Sequence, residues 1–234
     1  MAAQPPAGPP RFTVYPVAVE GHLEEPLSRW LWLVKWLLLI PHFVVLVVLG
    51  IAGFLMTIVA WFCILATGRY PRAIFDFNLG VLRWWWRVGF YSYSALGTDR
   101  YPPFSLGAEP DYPARLDIAY PERLSRGLVL VKSWLLAIPQ LIVVGILGGG
   151  FGHYGGLITL LVLIAGVLLL ATHRYNRDVF DLVMGFNRWT FRVIAYVGLM
   201  RDEYPPFRLD PGETEPEIGP STVTVPPGAP APVS

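Results

Sequence analysis

The sequence predicts an all-α membrane protein: two tandem transmembrane helical hairpins, about four membrane helices in all, each preceded by a short extended segment and followed by an amphipathic interfacial helix. Three observations predict it. Hydrophobic residues make up 54% of the chain and charged residues only 15%, with a mean hydropathy of +0.48. Lys, Arg, Asp and Glu are missing from 36–68 and again from 133–173. The chain also repeats itself: Leu27-Ser28-Arg29 matches Leu124-Ser125-Arg126 and Lys35 matches Lys132, each pair 97 residues apart. After small insertions the match resumes, with Arg69-Tyr70 against Arg174-Tyr175, Phe75-Asp76 against Phe180-Asp181, and Tyr101-Pro102-Pro103-Phe104 against Tyr204-Pro205-Pro206-Phe207. The duplication divides the chain into an N-terminal tail expected to be disordered (1–14), a first repeat (15–111), a second repeat (112–208) and a proline-rich acidic tail also expected to be disordered (209–234).

Taken in order, residues 1–10 are rich in Pro and Ala and uncharged, a composition that builds no core and is unlike a secretory leader. Residues 12–20 partly alternate apolar and polar side chains, which reads as a short edge strand interrupted at Pro16. The apolar run 30–66 would measure about 55 Å as one helix, against a hydrocarbon core of about 30 Å. A reversal is therefore expected near Gly50 to Gly53, giving legs 30–49 and 54–67. In the second repeat the glycine-rich run 148–156 marks the reversal between legs 127–147 and 157–172. Pro41 and Pro139 fall inside the first legs and are expected to kink them.

Lys and Arg flank the open ends of both hairpins, and the tips carry none. The positive-inside rule then puts both termini in the cytoplasm, with the two copies inserted in parallel.

Behind each second leg, Arg72, Asp76, Gly80, Arg83 and Arg87 recur at helical spacing as one polar stripe, repeated as Arg177, Asp181, Gly185, Arg188 and Arg192. Trp84, Trp85, Trp86 and Trp189 lie around that stripe, as expected of helices in the membrane interface. With Arg69 and Arg174, the arginines Arg72, Arg83, Arg87, Arg177, Arg188 and Arg192 are the candidate contacts for anionic lipid headgroups. Asp76 is placed to pair with Arg72 or Arg83, and Asp181 with Arg177 or Arg188. Lys35 and Lys132, about one and a half turns inside the first legs, are expected to snorkel to the headgroups. The alternative for each lysine is an ion pair with Asp76 or Asp181, or a cationic lining for a headgroup pocket.

The strings Tyr120-Pro121-Glu122-Arg123-Leu124-Ser125-Arg126, Gly68-Arg69-Tyr70-Pro71-Arg72 and Asp99-Arg100-Tyr101-Pro102-Pro103-Phe104 resemble an uncharacterised family of bacterial, largely actinobacterial, integral membrane proteins classed as a domain of unknown function. The second copy departs from the first with Asn176 in place of Pro71 and Glu203 in place of Arg100. The resemblance implies a multi-pass protein of the bacterial plasma membrane and implies no activity.

No enzyme constellation stands out. The four histidines, His22, His42, His153 and His173, lack the spacing of a metal pair. Cys63 is the only cysteine, so an intrachain disulfide is excluded. Ser28 and Ser125 read as helix N-caps. The expectation is a non-enzymatic membrane scaffold without cofactor or metal, bound to anionic lipid and to a membrane-protein partner or a second copy, and not to nucleic acid. Membrane shaping and transport of a lipid or small solute are the alternatives.

Overall fold

A computed structural model describes residues 15–148 and 156–215. The chain runs β1 (Val17–Gly21), a 3-10 turn (Leu31–Leu33), α1 (Lys35–Leu38), α2 (Ile40–Thr67), α3 (Arg72–Tyr91) and β2 (Ala114–Ile118). It continues with α4 (Arg126–Val131), a π-helical turn (Lys132–Leu136), α5 (Ile138–Gly148), α6 (Leu157–Thr172) and α7 (Arg177–Val197). The expected extended segments are β1 and β2, and α3 and α7 follow the second legs as expected.

The two strands establish how the repeats are related. They pair antiparallel with Val17 opposite Ile118, Val19 opposite Leu116 and Gly21 opposite Ala114. Val19 therefore faces its own repeat counterpart. Equivalent strands meet in this register only across a local twofold axis, and the axis passes through the Val19–Leu116 pair. Both strands bury the same alternate residues, so the axis stands perpendicular to the ribbon.

Each repeat lends parts to the other about that axis. α3 of the first repeat packs on β2 of the second, and α7 packs on β1. The ends of the second legs exchange in the same way. Trp61 on α2 donates its indole N–H to the Val129 carbonyl on α4 at 3.3 Å. At the equivalent junction the sizes are reversed: Gly166 on α6 lies under the Trp32 ring, where an added Cβ would sit 3.1 Å from the nearest ring atom. Tryptophan meets a smaller residue at both junctions, contributed by opposite repeats.

The four-helix membrane arrangement is corrected by α2. It is a single helix of 28 residues with no reversal at Gly50 or Gly53. Gly53 serves a different end: its missing side chain lets Asn78 of α3 approach, with Asn78 Oδ1 3.0 Å from the place a Cβ would take. Asn78 Nδ2 donates to Thr57 Oγ1 at 3.1 Å, and Thr57 Oγ1 donates to the Gly53 carbonyl at 2.8 Å. The length argument overcounted because helix α2 starts only at Ile40. Pro41 sits in its first turn, where the missing N–H costs nothing, so it starts the helix and does not kink it.

At about 42 Å by its rise per residue, α2 is long enough to cross a bilayer with tilt or overhang. Only 11% of its most apolar stretch is buried inside the protein, with Val47, Val48, Ile51, Phe54 and Phe62 exposed, unlike the core helix of a water-soluble domain. In the second repeat, Arg126–Leu136 and Ile138–Gly148 are bent by 46° at the break between them, with Pro139 in the first turn after it, and would count as a second span if taken together. α6 has 16 residues and stands below that length. The expected reversal at 148–156 falls mostly outside the described residues.

Both second legs end in the same left-handed cap. Gly68 has φ of 72° and donates to the Ile64 carbonyl, while His173, with φ of 63°, donates to that of Leu169. Glycine takes this conformation without strain, and His173 does so against a small steric cost.

Candidate functional site

The most ordered polar chemistry in the protein lies on the stripe of α3 and α7, and the repeat symmetry organises it. Arg83 Nε donates to the Leu116 carbonyl at 3.0 Å, and Arg188 Nε donates to the Val19 carbonyl at 2.9 Å. Each arginine thus grips the central residue of the opposite repeat's strand. Arg83 also pairs with Asp117. Arg87 donates to the carbonyls of Gly107 at 2.8 Å and of Ser105.

In the second repeat the chain following Phe207 lies across the arginines. Arg188 donates to the carbonyls of Asp210 and of Gly212, the latter at 2.9 Å. Arg192 pairs with Asp210 at 2.7 Å and with Glu215 Oε2 at 2.7 Å. Glu215 Oε1 lies 3.3 Å from Arg188 Nε and accepts from the Val19 N–H at 3.2 Å. Residues 209–215, expected to begin a disordered tail, are instead a strap that closes over α7. Burial pushes the Glu215 carboxyl up from its ordinary value, opposed by Arg192 and then Arg188. Burial likewise pulls the Arg188 guanidinium down, with Glu215 opposing.

These positions correct the headgroup reading of the stripe. Arg87, Arg188 and Arg192 are 2%, 0% and 1% exposed and turned into the protein, and Arg83 is largely covered. A guanidinium with five donors in a fixed fork suits several carbonyls at once, which is what the straps supply. Arg69, Arg72, Arg174 and Arg177 are exposed. Arg72 pairs with Asp76 at 3.3 Å, one of the expected i,i+4 pairs, and stacks over Tyr120. Arg177 does not pair with Asp181; it lies 3.7 Å from both Glu25 and Glu213. Asp181 is half-buried, and its carbonyl accepts from Gly212 N.

The tryptophans divide. Trp85 is exposed, and Trp84 and Trp86 are buried. Trp84 donates to His42 Nδ1 at 2.9 Å and Trp86 to the Glu20 carbonyl at 2.9 Å, so neither is a headgroup anchor. Trp189, the counterpart of Trp84, donates to Gln140 Oε1 at 2.7 Å.

The lysines neither snorkel nor pair with Asp76 or Asp181. Lys35 is fully buried, with Asp99 at 2.9 Å, the Thr98 carbonyl at 2.6 Å and the Tyr91 ring centroid at 4.4 Å. Lys132 repeats the box with Asp202 at 2.7 Å, the Arg201 carbonyl at 3.0 Å and the Tyr196 ring at 5.5 Å. Asp76 and Asp181 sit toward the far end of α3 and α7, away from Tyr91 and Tyr196. The missed acids had a signal: Asp99 and Asp202 each stand two residues before the Tyr-Pro-Pro-Phe string of their repeat.

A second cationic feature lies at the foot of α2. Arg69, Arg123 and Arg126 line an open cleft of about 380 Å³ together with Thr67, Gly68 and Leu124, and among the described residues no acid lines it. Its repeat counterpart, at the foot of α6, holds His173, Arg174 and Arg177 but also Glu25. There Arg177 is paired as above, and Arg29 Nη1 lies 3.1 Å from His173 Nε2. Arg123 was not singled out in the sequence, because its counterpart in the first repeat is Pro26. Among the described residues no group of three His, Cys, Asp or Glu side chains is placed to hold a metal ion.

Fold and site together define a class: a mostly helical tandem duplication, closed about a local twofold by a two-stranded ribbon, with an exposed apolar helix long enough for a membrane. The chain belongs to the family described as Domain of unknown function (DUF4389), which matches it twice, at residues 29–105 and 129–208. No curated protein and no solved structure matches it.

Proposed function

We propose that the protein is a non-enzymatic, multi-pass scaffold or accessory subunit of the bacterial plasma membrane that holds anionic lipid at its cytoplasmic side and supports a partner membrane complex. The observation that carries this reading is the cleft of Arg69, Arg123 and Arg126 at the end of the exposed apolar helix α2, lined by no acid among the described residues. Three exposed guanidinium groups at the foot of such a helix suit a phosphate headgroup whose acyl chains run along the helix. The positive-inside preference places that end in the cytoplasm. Arg174 belongs to the weaker counterpart, where Glu25 competes for Arg177.

The test is reconstitution into bilayers of mixed zwitterionic and anionic phospholipid, followed by measurement of the lipid retained by the purified protein. Anionic lipid should be enriched, and the enrichment should fall about tenfold in Arg69→Gln/Arg123→Gln/Arg126→Gln, equivalent to about 1.4 kcal/mol. Unchanged enrichment in that variant sinks the reading. Vesicle tubulation, or solute flux through the vesicles, would favour shaping or transport instead.

A further inference from the structure

The twofold makes each repeat a template for the other, and one place is filled on one side only. In the second repeat, the Glu215 carboxylate sits among Arg188, Arg192 and the Val19 N–H. The counterparts of these three groups in the first repeat are Arg83, Arg87 and the Leu116 N–H. The strap of the first repeat begins in the same way, with Ser105 and Gly107 matching Arg208 and Asp210. It then turns into β2, and the two acids of the second strap that pair with the arginines, Asp210 and Glu215, are replaced by Gly107 and Tyr112. What remains is a cavity of about 180 Å³ whose lining includes Arg83, Arg87, Glu109, Arg115, Leu116 and Asp117.

Arg87 is the group left without its anion. It is 2% exposed, its two terminal nitrogens donate to backbone carbonyls, and its Nε has no partner. Among the described residues it forms no ion pair. Arg192 also has an unpartnered Nε, but it carries two carboxylates, so its charge is compensated. A buried cation with no directly paired anion is costly, and although the Glu109 charge favours its ionised form, the cavity beside it admits a further anion.

We propose that the first repeat binds a carboxylate at Arg87, in the cavity shared with Arg83, Arg115 and Leu116, at the place that Glu215 fills in the second repeat. The charge inventory selects a carboxylate over a phosphate. Arg83 is already neutralised by Asp117, and Glu109 also lines the cavity, so three arginines and two acids leave a single positive charge. A dianion would face repulsion from both acids. Arg115 replaces the Ala18 of the other repeat, adding a cation to the side that lacks an internal acid. The carboxylate comes either from a free small acid or from a glutamate presented by a polypeptide, and both offer the same planar, bidentate group to a guanidinium.

The experiment uses the full chain in nanodiscs, titrated calorimetrically with acetate, with butyrate and with a capped peptide copying residues 211–217 with glutamine in place of Glu213 and Glu217. Saturable binding of one equivalent of at least one probe is expected. Arg87→Gln should weaken it at least tenfold. Arg115→Gln, an exposed change that leaves the fold intact, should weaken it about threefold, equivalent to about 0.7 kcal/mol. The matching peptide with glutamine for every glutamate should not bind. Binding of the peptide alone assigns a polypeptide source, and binding of the small acids a free acid. Absence of saturable binding by every probe overturns the proposal, as does binding that Arg115→Gln and Arg87→Gln both leave unchanged.

Discussion

The two repeats hold their paired arginines in the same backbone frame and neutralise them differently. In the second, Arg188 and Arg192 are closed by the chain's own Asp210 and Glu215. In the first, Arg83 has Asp117, and Arg87 has only the Gly107 and Ser105 carbonyls. The clefts at the feet of α2 and α6 also differ, although both repeats build each of them: at α2, Arg69 of the first repeat meets Arg123 and Arg126 of the second, and at α6, Arg177 of the second repeat lies near Glu25 of the first and Glu213 of the strap. Among the described residues, the arginine pair on α7 is closed by ion pairs within the chain, and Arg87 on α3 forms none.

The sharpest way to break this comparison is Glu215→Gln. It leaves Arg188 and Arg192 buried with Asp210 alone and should destabilise the protein by about 3 kcal/mol, the lower end for removing one member of a buried pair. Asp117→Asn, on the β2 strand that covers Arg83 of the first repeat, removes a more exposed acid and should cost about 1 kcal/mol or less. Chemical unfolding in detergent measures both, and equal losses would refute the asymmetry. Where the repeats agree, the costs should agree. Lys35→Met and Lys132→Met each strip a buried cation from an aspartate, a carbonyl and a tyrosine ring, and each should cost about 2 kcal/mol. A difference between them of more than about 1 kcal/mol would mean the two boxes are not equivalent.

Much of this fold was legible because duplication writes the same signal twice. The stripe helices α3 and α7 follow from matched strings, and the extended segment of the first repeat from the alternation in 12–20. The reversal in the first repeat was not legible: Gly50 and Gly53 resemble a turn locally, and only the approach of Asn78 explains why a glycine is needed in mid-helix. The stripe was read correctly as polar and wrongly as outward. Helical periodicity reports which residues share a face and is silent on what covers it, and here the cover is a strap from more than fifteen residues downstream. Glu215 was inaccessible to repeat matching for the same reason that makes it informative, since it lies beyond the last matched string.

The finest difference between the copies is the partner of the tryptophan on the stripe helix. Trp84 donates to His42 Nδ1, which leaves the proton on Nε2, and that buried nitrogen has no acceptor. The His42 ring instead stacks on Phe104 at 3.8 Å. At the equivalent place, Gln140 accepts from Trp189 through Oε1 and donates through Nε2 to the Pro205 carbonyl at 2.8 Å. Exchanging the residues tests which arrangement is better satisfied. Gln140→His gives up a buried hydrogen bond and leaves the Pro205 carbonyl bare, for a loss of about 1 kcal/mol. His42→Gln supplies a second donor beside Pro102, the counterpart of Pro205, and this gain offsets the lost ring stacking, which is worth about 0.5–1.5 kcal/mol. Its net effect should therefore stay within about 0.5 kcal/mol. Thermal unfolding of the two variants side by side decides the matter. If His42→Gln is the more damaging change, then the stacked histidine outweighs the hydrogen bond, and the first repeat is specialised at its core as well as at its arginines.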